Sequence, residues 1–243
     1  MHLHRVGAST TPRRLTWSPE DCALYALALG AGVEHERFTV DSHNGSGQLV
    51  YPTFVLAGVL AADSATWPDP ALQTGDYHIG QLVLGEQALR FHRSIPAVGD
   101  VRVVTTVGAI YDKGSGALVV LESRVTDNRT QLPLFDATTG VFVIGGGGFG
   151  GERGGAGVQT KVPNRPASAR VWLPTSANQT LWYRYAGNDR NPIHVDPEVA
   201  REAGYRAPIL MGQNTLGFAC RGLVETVCGG DPKGLASLSG RFA

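Results

Sequence analysis

The stretch AGNDRNPIHVDP, residues 186–197, combines acids, amides, an imidazole and two prolines. Asn, Asp and Pro are turn residues, so one interpretation is a polar loop in which Asp196 caps a helix that begins at Pro197. A second interpretation is a metal site, because His194 and Asp196 could supply two ligands of a two-histidine, one-carboxylate iron centre. A third is acid/base chemistry. A proline-stiffened loop can direct Asp189 and His194 at one water molecule and exchange protons near neutral pH.

Length and composition describe a folded chain of one large or two small domains. The 243 residues are 42% hydrophobic and 17% charged, and the formal net charge is zero, so we expect no nucleic-acid partner. The three cysteines form no C-x-x-C pair, which argues against a disulfide scaffold and suits a reducing, cytoplasmic setting. The sequence predicts neither a secretory signal nor a membrane span.

The glycine-rich segment 145–168 divides the sequence. It contains the run GGGGFGGERGG and ends near two prolines, a composition that does not support a regular element. We therefore predict a linker at 145–168 between an N-terminal domain, 1–144, and a C-terminal domain, 169–243.

Three segments before this linker read as strands: 101–111, 117–127 and 132–144. Each is rich in Val, Ile, Leu and Thr with partial alternation. The short connections between them predict an antiparallel meander.

The segment SPEDCALYALALGAG predicts an early helix. Ser18 is placed to cap it, Pro19 suits the first helical position, and Asp21 completes a capping box. The apolar stripe expected on this helix is Leu24, Leu27 and Ala28.

The C-terminal third predicts short helices at 177–185 and 197–203, a longer helix at 212–227, and a strand at 235–242. Four apolar residues of the longer helix share helical spacing: Leu216, Ala219, Leu223 and Val227.

Several motifs together resemble one known family. The loop motif D-x-N-P-[IL]-H-x-D-P is followed by P-I-L-x-G, and YPTF, GEQ, DKGSG and GGFGG precede it in the expected order. From about residue 15 to residue 243 the chain resembles the MaoC-like, (R)-specific enoyl-CoA hydratases. The similarity is to the double hot-dog subgroup that includes the hydratase region of peroxisomal multifunctional enzymes.

This resemblance implies a fold and a reaction. The fold is α+β, a double hot-dog whose antiparallel sheets enclose a central helix in the C-terminal half, while a degenerate first hot-dog makes room for the acyl chain. The reaction is hydration of trans-2-enoyl-CoA to (3R)-3-hydroxyacyl-CoA, or the reverse, by a hydro-lyase. Asp189 and His194 match the pair that activates water, Asn191 matches the supporting amide, and the N–H of Gly212 matches the group that polarises the thioester carbonyl.

The resemblance also bears on the pocket, cofactors and partners. Pro192, Ile193 and Met211 are expected to contact substrate, whereas the family usually has a histidine at the position of Met211 and another at that of Leu84. No metal or redox cofactor is implied, and coenzyme A enters as part of the substrate. A homodimer is expected, in the cytoplasm or, in a eukaryote, the peroxisome.

The family continues for several strands beyond the segment that 240–243 resembles. We therefore expect the second hot-dog to be truncated at its C-terminus, so that the chain is a fragment or a partner chain completes the sheet. Alone, it is expected to be poorly stable. Two alternatives remain open at the sequence level: a non-catalytic thioester-binding subunit, and a MaoC-like fold used for another thioester reaction.

Overall fold

A computed structural model describes residues 1–41, 47–60, 69–154 and 164–242. Its centre is a six-stranded antiparallel sheet in the order β1-β3-β4-β5-β2-β6. The strands are β1 (Arg13–Trp17), β2 (Leu82–Phe91), β3 (Gly99–Asp112), β4 (Gly116–Asp127), β5 (Pro133–Ile144) and β6 (Ser237–Arg241).

The predicted antiparallel meander is confirmed. Strands β3, β4 and β5 pair with their chain neighbours, and β5 then pairs with β2. The final strand is also confirmed, at the sheet edge beside β2. Sequence reasoning did not predict β2, because Gly85 and Glu86 interrupt its apolar run where the register shifts between Leu84 and Glu86.

The helices lie mainly against one face of this sheet, where Leu29, Phe54, Phe135 and Val224 join one apolar cluster. They are α1 (Pro19–Ala28), α2 (Glu36–Thr39), α3 (Gln179–Ala186), α4 (Pro197–Glu202) and α5 (Gly212–Thr226). One turn of π-helix, Leu56–Leu60, also contributes to the cluster.

The capping box of α1 is confirmed, but its predicted apolar stripe is only partly right, because Ala28 is buried whereas the two leucines are not. The Ser18 hydroxyl accepts from the Asp21 N–H, and the Asp21 carboxylate accepts from the Ser18 N–H at 2.8 Å. Leu24 and Leu27 are half exposed, whereas Tyr25 is fully buried. Because α1 is apolar on nearly every side, helical spacing did not identify the inward face. Tyr25 fixes that face by packing edge-to-face on Phe54.

The predicted stripe on α5 is also partly wrong. Leu216 is buried, but Ala219 is exposed and Val227 is 68% exposed. The buried face instead includes Cys220 and Gly217. A side chain at Gly217 would meet Leu29 of the α1 region at 2.5 Å, so glycine permits the close approach of the two helices.

The segment after β5 is tied to the β3–β4 hairpin. The Asp112 carboxylate accepts hydrogen bonds from the backbone N–H groups of Gly114, Gly148 and Gly150 at 2.8–2.9 Å. These bonds lower the pKa of Asp112, with the Gly148 contact the largest cause. Ile144 ends β5 where the predicted linker begins, but residues 155–163 of that linker lie outside the described residues. The predicted domain division stays a prediction.

Candidate active site

The quoted loop folds by hydrogen bonds from its own side chains. Asn188 adopts a left-handed conformation (φ 52°) just after α3, which turns the chain. The Asp189 carboxylate then accepts from the Asn191 N–H at 3.1 Å, and the Asn191 side-chain oxygen accepts from the Ile193 N–H at 3.1 Å. This second bond caps the 3₁₀ turn Pro192–His194. The loop therefore presents Asp189 and His194 from two consecutive, internally bonded turns.

The two groups of the expected acid/base pair lie side by side. His194 Nε2 is 3.6 Å from Asp189 Oδ2. On the other side of the ring, His194 Nδ1 lies 2.8 Å from the backbone oxygen of Ile209. A carbonyl oxygen accepts only, so this contact assigns the proton to Nδ1 and leaves Nε2 of the neutral ring an acceptor.

Asn191 ties this loop to the N-terminal half of the chain. Its side-chain NH₂ donates to the backbone oxygens of Ile79 at 3.3 Å and Leu82 at 3.1 Å. Both the NH₂ and the oxygen of its side chain therefore bond backbone groups of the protein. Asn191 thus holds the loop against the start of β2 rather than acting on a proton itself.

Gly212 begins α5 at the same site. The first N–H groups of a helix lack intrahelical acceptors and carry the positive end of its dipole. A Cβ at Gly212 would lie 3.1 Å from Leu84 Cδ2, so a side chain has little room here, and Gly212 lies in the wall of a cavity. The arrangement suits an oxygen that gains negative charge.

These residues border a cavity of about 910 Å³. Asp189, Asn191, His194 and Gly212 all contribute to its wall, so the structure brings the four predicted catalytic residues together. Much of the remaining wall is aliphatic or aromatic and comes from β2, β4 and β5. Its apolar members on these strands are Leu82, Val83, Leu84, Leu118, Leu121, Val141, Phe142 and Ile144.

The three predicted substrate contacts are placed differently. Ile193 and Met211 are 0% and 1% exposed, and Met211 belongs to the apolar cluster under the helices. Neither these two residues nor Pro192 is among the described residues that line the cavity. Their role in binding substrate stays a prediction.

The iron-site interpretation is not supported by the loop geometry. Asp196 Oδ1 accepts from the N–H groups of Glu198 and Val199 and so caps α4, as the first interpretation predicted. In the described part of the chain, no three His, Cys, Asp or Glu side chains are grouped as a metal site would require.

A buried tyrosine lies behind the loop. Burial raises the pKa of Tyr183 well above its usual value, and the nearby charge of Asp189 raises it further. The Tyr183 hydroxyl therefore stays neutral beside the carboxylate.

Sequence reasoning missed the cavity residues that lie far from the loop. Arg190 lines the cavity and places its guanidinium 5.0 Å from the centre of the Tyr185 ring. Thr105 and Ser123 also line it. No local motif marks these two residues, and strand pairing is what brings them to the cavity.

Family models match both halves of the chain. Residues 15–145 match the MFE-2 hydratase 2 N-terminal domain, and residues 158–243 match the MaoC like domain. The chain therefore belongs to the MaoC-like hydratase family, as the motifs predicted.

Individual relatives agree with this assignment. The chain is 38% identical to 3-hydroxyacyl-thioester dehydratase Y of Mycobacterium tuberculosis over 98% of this chain and 80% of that protein. It is 34% identical to probable enoyl-CoA hydratase 2 of Dictyostelium discoideum, with the same shares covered. A MaoC-like dehydratase from Phytophthora capsici superposes with a TM-score of 0.81 and 26% identity over 100% of this chain and 83% of that one. The predicted α+β hot-dog fold is confirmed.

Among the described helices, none combines the length and apolar character needed to cross a bilayer. The homodimer and the compartment stay predictions.

Proposed function

We propose that this chain is a hydro-lyase that hydrates trans-2-enoyl-CoA to (3R)-3-hydroxyacyl-CoA and catalyses the reverse dehydration. The observation that carries the proposal is the 3.6 Å approach of His194 Nε2 and Asp189 Oδ2 at the wall of an apolar cavity. The names of the two curated relatives, a hydroxyacyl-thioester dehydratase and an enoyl-CoA hydratase, describe the two directions of this reaction.

The geometry of the pair favours a bound water. With its proton on Nδ1, His194 offers a lone pair at Nε2, and the Asp189 carboxylate offers another at Oδ2. Two acceptors do not bond each other, but a water molecule can donate one hydrogen to each. Its oxygen lone pairs then point away from the loop, towards the cavity.

The proposed addition proceeds from this water. Its oxygen forms a bond to C3 of the enoyl group, while the C2–C3 π electrons move towards the thioester carbonyl. One water proton passes to the acid/base pair and is then delivered to C2, so that the elements of water are conserved in the product. Because hydroxyl and proton both come from the loop side, we expect addition to one face of the double bond.

The start of α5 is assigned to the developing oxyanion. The Gly212 N–H lies at the positive end of a 15-residue helix, and Gly212 lines the cavity assigned to the substrate. Removing one donor of such a site typically costs about 10²–10³ in kcat. The steps use side chains and backbone amides of this chain, and coenzyme A takes part as a portion of the substrate.

The acyl chain is assigned to the cavity. The wall from β2, β4 and β5 is mainly apolar, and a volume of about 910 Å³ has room for a long acyl chain. The N-terminal half therefore shapes the substrate, while the C-terminal loop supplies the acid/base groups.

The test is the loss of enoyl-thioester absorbance with trans-2-enoyl-CoAs of increasing length. Asp189→Asn and His194→Ala should each lower kcat/KM by about 10²–10⁴-fold, the typical contribution of general acid/base groups. Asp231→Asn is the matched control, because Asp231 is a carboxylate that caps the turn Pro232–Gly234, outside the cavity wall. Folded variants at 189 and 194 that keep the wild-type rate would contradict the proposed pair.

A further inference from the structure

The inward face of the sheet carries a polar belt, which we define as Thr105, Ser123, Thr139 and Gln87. These residues lie one on each of the adjoining strands β3, β4, β5 and β2. Thr105 pairs directly with Ser123, and Thr139 pairs directly with Gln87. Ser123 and Thr139 are diagonal neighbours, since Leu121 is the partner of Thr139.

The polar belt separates two apolar clusters. On β3, Val103 belongs to the cluster under the helices, and Val107 belongs to a second cluster around Leu121 and Val143. Thr105, between them, is 6% exposed. A buried polar group costs free energy unless it is hydrogen-bonded. Each side chain of the polar belt therefore needs a hydrogen-bond partner.

One end of the belt is satisfied within the protein. The Thr139 hydroxyl donates to Gln87 Oε1 at 3.0 Å, and the Gln87 side-chain NH₂ donates to the backbone oxygens of Thr138 and Ala88. Gln87 is 1% exposed and is not among the residues lining the cavity. This end therefore has a structural role that needs no ligand.

The other end is incomplete. Thr105 Oγ1 and Ser123 Oγ lie 2.8 Å apart, and both residues line the cavity. Each hydroxyl has one hydrogen, and their single mutual bond uses one of the two. Among the described residues, no acceptor takes the second hydrogen, although Thr105 and Ser123 are 94% and 95% buried (6% and 5% exposed).

This hydroxyl pair lies far from the reacting groups. Leu84 on β2 lies beside Gly212 and pairs with Val141 on β5. Val141 pairs in turn with Val119 on β4, which is two strands away from Leu84. Ser123 is four residues further along β4. Strand spacings of about 4.8 Å and a rise of about 3.4 Å per residue place Ser123 roughly 16 Å from Leu84.

We infer that the Thr105–Ser123 pair binds a hydroxyl or carbonyl oxygen on the acyl chain, remote from the thioester. This inference rests on the proposed function and specifies its substrate class: long enoyl thioesters that carry an oxygen on the distal part of the chain. The pair can donate its second hydrogen to the oxygen of a carbonyl or to the oxygen of a hydroxyl, so either group completes the bonding. A plain hydrocarbon chain leaves that hydrogen without a partner.

The test compares trans-2-dodecenoyl-CoA with its ω-hydroxy and ω-oxo counterparts. The wild-type chain should prefer an oxygenated substrate, and Thr105→Val/Ser123→Ala should shift the kcat/KM ratio towards the plain chain by about tenfold. Both hydroxyls are removed together because deleting one alone would leave the other buried without its partner. A ratio that the double variant leaves unchanged would overturn the inference.

A matched pair of hydroxyls provides the control. Ser9 Oγ and Thr106 Oγ1 lie 2.7 Å apart in an exposed position, outside the cavity wall. Ser9→Ala/Thr106→Val removes the same atoms and should leave the substrate ratio at its wild-type value. An equal shift in this control would assign the effect to general loss of hydroxyl groups and overturn the inference.

Binding of saturated analogues separates this inference from the proposed reaction. Dodecanoyl-CoA and ω-hydroxydodecanoyl-CoA are titrated calorimetrically into the wild-type chain and the double variant. Tighter binding of the hydroxylated ligand, lost in the double variant, supports the inference even if no enoyl thioester is hydrated; that result would contradict the proposed function alone. Equal affinities in both proteins contradict the oxygen site whatever the turnover.

Discussion

The neighbours of His194 define what its ring can do. Because Nδ1 faces the Ile209 carbonyl, the ring presents an acceptor to Asp189 and the cavity, which a general base requires. Ile209 lies shortly before α5, so the same short segment orients the base and leads to the helix start. A carbonyl contact of this kind has no sequence signature, since any residue at position 209 supplies it.

A substitution at Gly212 tests whether its N–H binds the developing oxyanion. Gly212→Ala adds a methyl group at the cavity wall, 3.1 Å from Leu84 Cδ2, and should lower kcat/KM by about 10²-fold without loss of Tm. Leu84→Ala combined with Gly212→Ala restores space on one side and should recover part of the activity. Steady-state kinetics measure kcat/KM, and thermal melts measure Tm, for both variants. Full activity in the single variant would show that the oxygen does not approach there.

A substitution at Asn191 tests whether this side chain anchors the loop to the start of β2. In Asn191→Asp, a carboxylate oxygen replaces the NH₂ that donates to Ile79 and Leu82 and faces those carbonyls instead. We expect a loss of about 1–3 kcal/mol in unfolding free energy, together with lower kcat/KM. Chemical denaturation measures the first effect. Asn178→Asp is the control, since the Asn178 side chain makes no cap bond, and a loss of equal size there would argue against a special anchor.

At the scale of elements, the β3–β4 hairpin and the glycine segment after β5 act as one unit. Asp112 receives three backbone N–H groups from both parts. The motifs DKGSG and GGFGG, about 30 residues apart in this sequence, therefore form a single hydrogen-bonded contact. The glycines serve this contact, since Gly114, Gly148 and Gly150 all have positive φ.

The depressed pKa of Asp112 predicts a pH-dependent contribution to stability. A carboxyl whose folded pKa lies below its unfolded value of about 3.9 stabilises the fold above that value, and the effect is lost as pH falls through the folded pKa. Asp112→Asn should lower Tm at neutral pH and flatten the decrease of Tm below about pH 4. Thermal melts from pH 7 to 3 check this. Parallel curves for both proteins would exclude Asp112 as a source of the acid sensitivity.

The elements also show what sequence reasoning can and cannot predict. Capping chemistry and the meander were predicted because Ser18, Asp21 and the alternating strands carry local signals. The buried face of α1 was predicted correctly only at Ala28, because apolar residues surround the helix. The polar belt was not predicted at all: Thr105 and Ser123 are single polar residues in alternating strands, and only the cross-strand register makes them a pair. The contact of Asn191 with Ile79 and Leu82 likewise joins residues more than 100 positions apart.

At the scale of the whole molecule, α1 and α5 join the two halves. Arg221 of α5 is 7% exposed and donates to the Leu29 carbonyl at 2.8 Å and to Glu225 at 2.7 Å. Glu225 also lies 2.9 Å from His35 Nε2. A charged group so deeply placed needs these partners, so the contact couples the stability of the N-terminal and C-terminal halves.

Arg221→Met tests this coupling. The variant leaves Glu225 without its cationic partner and should destabilise the chain by about 3 kcal/mol. Arg221→Met/Glu225→Leu removes both charges and should regain much of that loss, because a buried pair is often replaceable by apolar residues. Denaturant titrations of the wild type and the single and double variants give the interaction free energy. Strictly additive losses would show that the two side chains stabilise the fold independently.

The separation of the proposed acid/base loop from the strands proposed to enclose the acyl chain affects how this protein can diversify. Residues of β2, β4 and β5 supply much of the cavity wall, whereas Asp189 and His194 lie on a separate loop. Duplicated genes for such a chain can therefore acquire new acyl preferences by substitutions in strands, while their chemistry is inherited unchanged. The residue that restricts this freedom is Asn191, since a change that moves the start of β2 also moves the loop bonded to it.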